Sequence, residues 1–573
     1  MIAYGDPQRT VAVAETLRDI HARATEIRDL DSTRDLLVLC GQVEQALADL
    51  GLAVELAESL TDWTARIFCA QFLDDDTSIP TLERDSIRRA VMQLRDAMAA
   101  RDIRELSLKV PEGFAFYSLY PEQYCLSAGT WSEAQSPDDA RTVAVLGLRS
   151  IGTTLSAVVA ETLRRHGWRA ERRTLRPGGH PYSRTADVPP HWIGVAQRFL
   201  IVDEGPGRSG SSMASVALAL QARGVPATRI CFMPAHANGP GEAAAPETRA
   251  CWSSIPSVVT PLSGVRWHGA SLEKILLAKT SELVGVEARE LRDSAAGRWR
   301  QYAFRTRADW PAVPKAFERP KYLAELAGGR AWLKFTGFGN APVINRAPPA
   351  ACENGIRPLS PIASISGWSL FRWIEGDRLQ LNDIEFLNAD RIAAHLRATM
   401  GPELSATECD AAFDRLESML RFNARQVLGP ECDARVEAIV AAAKNALQQS
   451  ETCAASEVRL APHDFIRSNG AIWKASGPAL DHTIAGTQPF VWSVAMFAVE
   501  WGADDSMTRD LCRRATPLAR PIPQDVLKFH QAACAALRLG MFAMSAHASE
   551  RAREARAVSF YRAALHRALQ ADA

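Results

Sequence analysis

Asp203 and Glu204 stand side by side at the end of the apolar run "QRFLIVDE", and the chain continues at once into "GPGRSGSS". Two adjacent carboxylates can accept hydrogen bonds from a diol. Gly205, Gly207 and Gly210 let the backbone come close to a bound anion. Arg208, Ser209, Ser211 and Ser212 add polar donors. The apolar stretch "MASVALALQARG" that follows reads as a helix, so its first N–H groups extend the anion site. Acids beside an anion cradle suit a sugar phosphate. The carboxylates face the ribose 2′ and 3′ hydroxyls, and the loop wraps the 5′-phosphate.

The elements that must position these groups follow from the pattern around them. "RTVAVLGL" reads as a strand, "SAVVAETLRRHG" as a helix ending at Gly167, and "RAERRTLR" as a second strand. "QRFLIVDE" is the next strand, "SSMASVALALQARG" the next helix and "ATRICFMPA" a further strand. This alternation predicts an α/β fold with a parallel sheet and helices on both faces. In such a sheet, ligands bind beyond the carboxyl ends of the strands, where Asp203 and Glu204 lie. Residues 1–110 carry apolar positions at helical spacing and form an N-terminal helical region. The sheet region spans 111–295 and includes the aromatic segment "VPEGFAFYSLYPEQY". A third region spans 300–573. There "RPKYLAELAGGRAWLKFTGFG" predicts two strands about a Gly-Gly turn, and "GWSLFRWIEGDRL" another strand. "HDFIRSNGAIWKAS" predicts a hairpin turning at Asn469-Gly470. The remainder after 385 is mostly helical.

At 573 residues the chain is long enough for about three or four domains. Its formal net charge is +0, with 47% apolar and 23% charged residues, so no global charge draws it to nucleic acid or an anionic membrane. It lacks an apolar run of about 18 residues and a signal-peptide pattern, which makes a cytoplasmic protein the expectation. The 11 cysteines are scattered without metal spacing and are expected to be reduced and buried.

"FLIVDEGPGRSGSS" resembles the signature of type I phosphoribosyltransferases. "AVLGLRSIGTTLSAVVAETL" resembles that family's first strand, pyrophosphate loop and helix, and "RRTLRPGGHPYSR" its closing loop, all in the family's order. The loop after the acids is about one residue longer than the family pattern, it lacks the usual Thr, and its second acid is Glu. The resemblance covers about residues 141–235. It implies phosphoribosyl pyrophosphate as cosubstrate with Mg²⁺, and transfer of the phosphoribosyl group to a nitrogenous acceptor. Asp203 and Glu204 would hold the ribose. Arg149, Ser150, Ile151 and Gly152 would take the pyrophosphate. Arg173, Arg176, His180 and Arg184 would close from the mobile loop. The acceptor would meet the aromatic segment at 114–124 or "CWSSIP" at 251–256.

"RAWLKFTGFG", "LFRWIEGDRL" and "APHDFIRSNGAIWKASGPALDH" resemble aminoglycoside-phosphotransferase-like kinases. That resemblance implies Lys334 on the nucleotide phosphates of ATP, Asp464 as base, and Asn469 and Asp481 as metal ligands. Read without it, Asn469-Gly470 is a hairpin turn, and Lys334 and Lys474 are strand lysines whose stems lie along apolar surface. Ser493 follows Trp492 where that family carries Asp, and no Gly-rich phosphate loop precedes Lys334. The alternative to enzymatic turnover in either half is a sensor of nucleotide or phosphoribosyl pyrophosphate within a regulatory or defence assembly. The N-terminal helices would then dock a protein partner.

Overall fold

The computed structural model describes residues 1–5, 8–74, 81–136, 141–194, 196–241, 244–339, 355–449, 459–475, 482–515, 520–545 and 551–570. They divide into two compact units. The first is Gln8–Lys279 with Thr336–Pro342; the second is Met1–Pro7, Thr280–Phe335 and Val343–Ala573. The N-terminal helices from residue 8 onward and the parallel sheet fall in the same unit, which the chain leaves near residue 280.

The first unit opens with β1 (Gln8–Ala12), α1 (Val13–Glu26), α2 (Leu30–Leu50), α3 (Val54–Leu73), α4 (Thr81–Ala99) and β2 (Glu105–Lys109). β1 and β2 pair antiparallel. α5 (Glu112–Phe116) and α6 (Pro121–Glu133) follow, then β3 (Thr142–Leu148), α7 (Ile151–Arg165), β4 (Arg169–Leu175), the short strands β5 (Gly178–His180) and β6 (Ser183–Thr185), β7 (Arg198–Val202), α8 (Ser211–Ala222), β8 (Ile230–Met233), α9 (Pro246–Ser254) and α10 (Leu272–Val284), which leads out of the unit.

Four strands form one parallel sheet in the order β4-β3-β7-β8. β3, β7 and β8 are buried along nearly their whole length, as expected of strands covered on both faces. β3 leads to β4 on one side and β7 leads to β8 on the other. Right-handed crossovers in these opposite directions put α7 and α8 on opposite faces. α7 packs with α2, α3 and α6, whereas α8 packs with α9 and the β5–β6 hairpin. The strand order reverses between β3 and β7, which makes their carboxyl ends the crevice of the sheet.

This topology joins the N-terminal helices to the sheet. The apolar sides of α2 and α3 cover the sheet helix α7. At Gly41 the approach is so close that an added Cβ would lie 2.0 Å from Thr154 Oγ1. Ion pairs of the buried Arg172 fix the same contact: its Nη1 and Nη2 on β4 lie 2.7 and 3.1 Å from the buried Glu44 carboxylate of α2, and its Nε lies 2.7 Å from the partly exposed Asp62 of α3. Burial works against the Arg172 charge, but Asp62 and Glu44 hold it protonated. Burial also pushes the Glu44 carboxyl up to about 7 despite Arg172.

A second close approach sits at the crevice. A Cβ on Gly152 would fall 2.6 Å from the Val202 carbonyl oxygen, and one on Gly147 2.2 Å from the Gly152 carbonyl oxygen. Only glycine lets the first turn of α7 lie against the ends of β3 and β7. Gly152→Ala is expected to lose about 1–3 kcal/mol of unfolding free energy, measured by urea titration of the full chain. An unchanged midpoint would contradict this packing.

The second unit contains β9 (Ala288–Asp293), α11 (Arg300–Ala303), β10 (Lys321–Leu326), β11 (Gly329–Phe335), β12 (Ile356–Pro358), β13 (Pro361–Ile365), β14 (Trp368–Arg372) and β15 (Asp377–Arg378). Then come α12 (Ala389–Ala398), α13 (Ala406–Leu428), α14 (Asp433–Ala446), β16 (Phe465–Ser468), β17 (Ala471–Lys474), α15 (Val491–Trp501), α16 (Asp505–Ala515), α17 (Gln524–Met544) and α18 (Arg551–Leu569). A five-stranded antiparallel sheet runs β13-β14-β11-β10-β9. A four-stranded mixed sheet runs β12-β17-β16-β15, with β12 parallel to β17. α17 is the helical hub, packing with α13, α14, α15 and α18. The described cysteines are free thiols, all buried except the half-buried Cys512. Among the described residues no helix is long and apolar enough to cross a membrane.

Candidate functional site

The crevice of the parallel sheet brings together two of the loops singled out in the sequence. Asp203 leaves β7 at its carboxyl end, and the Arg149–Ser150 loop leaves the neighbouring β3 in register with it. The Arg149–Ser150 peptide bond is cis. Ile151 and Gly152 form the first turn of α7.

Asp203 and Glu204 are both half-buried. Asp203 Oδ1 accepts from the Glu204 backbone N–H at 2.9 Å, and its carbonyl accepts from Tyr124 Oη at 2.7 Å. Glu204 Oε2 accepts from the Gly113 N–H at 3.0 Å, which ties it to the α5 turn. Burial, together with the charges of Asp203 and Glu204, drives the Tyr124 phenol well above its ordinary pKa and keeps it a donor.

Residues 205–210 turn tightly into α8. Gly207 and Gly210 take φ of 54° and 63°, and a Cβ on Gly210 would meet Pro240 Cβ at 2.6 Å and Trp252 Nε1 at 2.8 Å. Trp252 Nε1 donates to the Gly210 carbonyl at 3.0 Å, and the Gly241 N–H donates to the Arg208 carbonyl at 3.0 Å. Some of the loop's own donors serve the loop. The Gly210 N–H donates to the Pro206 carbonyl at 2.6 Å. The Ser211 N–H donates to Ser209 Oγ at 3.4 Å, and Ser211 Oγ donates to the Pro181 carbonyl at 2.6 Å. Ser211 is thus a buried structural hydroxyl and not the ligand donor expected of it. Ser212 is half-buried at the start of α8, and Gly205, Gly207, Arg208 and Ser209 line the turn before it.

The stretch expected to be a mobile loop is a hairpin, β5–β6, and Pro181 at its tip reaches α8 through Ser211. His180 is exposed there, and Arg184 Nη1 donates to the Pro177 carbonyl at 3.1 Å. Arg173 is exposed on β4. Both segments considered for an acceptor touch the 203–210 stretch, through Tyr124 and Trp252. The rings of Phe114, Phe116, Tyr120 and Tyr124 are fully buried core.

Sequence reasoning missed Asp49. It closes the last turn of α2 and accepts from both candidate pyrophosphate arginines. Arg149 Nη1 lies 3.1 Å from Asp49 Oδ1, and Arg176 donates from Nε to Oδ1 at 2.8 Å and from Nη2 to Oδ2 at 2.6 Å. Arg149 also donates to the Ala48 and Thr174 carbonyls, each at 3.1 Å. A signal was present: an acid in the last helical turn, with no basic residue there, opposes the helix dipole. Such an acid needs a cation from elsewhere.

The second unit gathers a different set. Lys334 Nζ on β11 donates to the Ala475 carbonyl at 2.6 Å, just past β17, and the Ala475 N–H donates to the Asp464 carbonyl at 2.7 Å. The Asp464 side chain accepts from the Ala461 N–H at 3.1 Å. Burial alone would raise the Asp464 carboxyl, but Lys474, His463, Arg459 and Arg378 outweigh it and hold it at about 2. Burial, with Lys321, Arg378 and Arg459, presses the Lys334 ammonium well below its usual range. Asn469 is exposed in the hairpin turn, with φ of 47° followed by Gly470 at 76°. The whole of β16 separates it from Asp464, so the structure does not bring the two together. Asp481 lies outside the described residues.

The Asp464 surroundings predict an acid-sensitive increment of stability. The unfolded carboxyl takes up its proton near pH 3.9, roughly, while the folded one resists down to about 2. Between these values the unfolded chain binds more protons, so stability rises with pH. The contribution is full above the unfolded value and is lost as pH falls through the folded one. The gap in unfolding free energy between wild type and Asp464→Asn should therefore shrink from pH 5 to pH 2 in urea titrations; a constant gap would contradict the assignment.

Among the described residues no three acids, histidines or cysteines cluster as a metal cage. The adjacent carboxylates of Asp203 and Glu204 suit a hard cation that arrives with oxygen-rich ligands of its own. The cationic surroundings of Asp464 do not suit one.

No family model and no curated protein matches the chain. Among solved structures, the chain is similar to choline kinase from Streptococcus pneumoniae, with 15% identity over 51% of this chain and 100% of that one, at a TM-score of 0.32. It is similar to a choline/ethanolamine kinase family protein from Mesorhizobium loti, with 15% identity over 44% of this chain and 88% of that one, at a TM-score of 0.29. A thermostable mutant of an aminoglycoside phosphotransferase is similar with 13% identity over 52% of this chain and 99% of that one, at a TM-score of 0.30.

Proposed function

We propose that the first unit binds phosphoribosyl pyrophosphate in the crevice between β3 and β7 and transfers the phosphoribosyl group to a nitrogenous acceptor, in the manner of type I phosphoribosyltransferases. One observation carries this reading: the 149–152 and 203–212 loops leave adjacent parallel strands at the point where strand order reverses. Asp203 faces the ribose hydroxyls, with Glu204 beside it and anchored on Gly113. The turn at 207–209 and the start of α8 receive the 5′-phosphate. Arg149 and Arg176 receive the pyrophosphate. As the bond from ribose C1 to the pyrophosphate oxygen breaks, positive charge grows on the sugar and negative charge on the leaving group. The carboxylates oppose the first charge and the guanidiniums the second. Mg²⁺ carried in by the ligand would screen the pyrophosphate oxygens. The β5–β6 hairpin covers α8 and keeps water from the phosphate end.

Calorimetric titration of the full chain with phosphoribosyl pyrophosphate, with and without Mg²⁺, tests binding. Pyrophosphate release on adding nitrogenous acceptors tests turnover. Absence of binding would refute the reading; binding without release would leave a sensor.

The second unit reads as a kinase-like nucleotide-binding domain of the aminoglycoside-phosphotransferase type, with Lys334 toward the phosphates of ATP. Its antiparallel sheet precedes a largely helical part, and Lys334 lies one residue from Asp464 through Ala475. The cationic setting of Asp464 and the remote Asn469 favour nucleotide binding without phosphotransfer, the regulatory reading, for this half.

A further inference from the structure

We infer that Asp49 is a built-in competitor for the leaving-group site: its carboxylate occupies the arginines that would hold pyrophosphate, and the ligand binds by displacing it. This rests on the proposed reading of the first unit and adds to it a residue that sets which anions the site admits.

The geometry is that of a bound anion. Arg176 grips the carboxylate with its fork, Nε on Oδ1 and Nη2 on Oδ2, the arrangement a guanidinium also uses on phosphate oxygens. Arg149 adds a third contact to Oδ1, and Gln45 Nε2 donates to Oδ2 at 2.6 Å. Arg176 Nη1 also donates to the Arg149 carbonyl at 3.3 Å, so the two arginines are organised at the edge of β3 and β4 around one negative group. Burial pushes the Asp49 carboxyl up, but Arg176, Gln45 and Arg149 more than reverse this and keep it ionised.

Asp49 is poorly placed for a purely helical role. At the carboxyl end of α2 its charge adds to the negative pole of the helix. The body of α2 is fixed by Glu44, Gly41 and their partners, so the ligand must dislodge only a side chain in the last turn. That side chain is 26% exposed, and those of Arg149 and Arg176 are 18% and 31% exposed, so the trio is open to solvent. A monoanion offers the arginines nothing beyond what Asp49 already supplies. A pyrophosphate group, with several charges and more oxygens, does better. Asp49 thus lowers affinity for every anion and leaves only polyanions able to enter.

The test is calorimetric titration of inorganic pyrophosphate into the full chain and its Asp49→Asn variant at low salt. Asparagine keeps the shape and an acceptor oxygen and removes only the charge. The variant is expected to bind pyrophosphate about tenfold more tightly, as loss of one competing, partly exposed charge allows. It should also gain measurable binding of a monoanion such as acetate. Equal or weaker pyrophosphate binding, or none by either protein, would overturn the inference and make Asp49 a staple for the arginines. Asp49→Ser, for which the same gain is expected, replaces the variant if asparagine prevents folding. Parallel titration with phosphoribosyl pyrophosphate separates the two claims. If it binds no tighter than pyrophosphate while Asp49→Asn tightens both, the ribose phosphate reading fails and the role of Asp49 stands. If it binds tighter but Asp49→Asn changes neither, the role of Asp49 fails and the reading stands.

Discussion

Asp203→Asn is expected to weaken phosphoribosyl pyrophosphate binding about 100-fold, since hydrogen bonds to a charged group are worth roughly 1.5–3 kcal/mol each. The substitution is nearly isosteric. Oδ1 already serves the Glu204 N–H, an arrangement an amide oxygen can keep, so the loop should retain its shape. What is lost is the negative charge that the proposed reading sets against the sugar. Glu204→Gln is expected to cost less, about tenfold, because Glu204 is tied to the Gly113 N–H and contributes partly by ordering the α5 turn. Inorganic pyrophosphate is the internal control. It has no ribose, so its affinity should be unchanged by Asp203→Asn in the same calorimetric titration. Equal losses for both ligands would mean that Asp203 supports the fold of the loop and does not touch the sugar.

Arg172→Met is expected to destabilise the first unit by about 3–5 kcal/mol, because it strands a buried carboxylate. Glu44 is fully buried, and Asp62 and the Glu58 carbonyl lose the same partner. Methionine matches the arginine stem in volume but leaves these groups unanswered. The double variant Glu44→Leu/Arg172→Met removes both charges and should recover much of the loss, since an apolar pair is cheaper to bury than half an ion pair. Urea unfolding of the two variants checks this. Equal destabilisation would show that the pair contributes packing and not charge. The pair also seats the helix that carries Asp49. Arg172→Met should therefore disturb pyrophosphate binding even though Arg172 is far from exposed, at 4%.

The parts of this fold that were readable in the sequence are those governed by local pattern. Runs such as "TVAVLGL" and "RFLIV" have no polar face because helices cover both sides of β3 and β7, and such runs stand out. The Asn469-Gly470 turn was readable because two successive residues at positive φ demand that chemistry. The same residue shows where spacing misleads. Asp464 and Asn469 are five apart, but the residues between them are an extended strand, which at about 3.3 Å per residue carries the ends apart. β1 and β2 were not readable, since each is short and pairs across nearly a hundred residues. The packing of α2 and α3 on α7 was not readable, because amphipathic helices do not announce which surface their apolar faces meet. In the site, loop placement was legible from the acids and glycines. The employment of Ser211 by Pro181 and of Arg149 by Asp49 was not, because both depend on partners distant in the chain.

A crystal structure of the full chain grown with phosphoribosyl pyrophosphate and Mg²⁺ is the most direct examination of where the ligand sits. The expected density has the 5′-phosphate at the Gly207–Ser212 turn, the ribose hydroxyls within hydrogen-bonding distance of Asp203, and the pyrophosphate on Arg149 and Arg176 with Asp49 turned away. Ligand bound outside the crevice between β3 and β7, or an Asp49 carboxylate still held by Arg149 and Arg176 at saturating ligand, would contradict this.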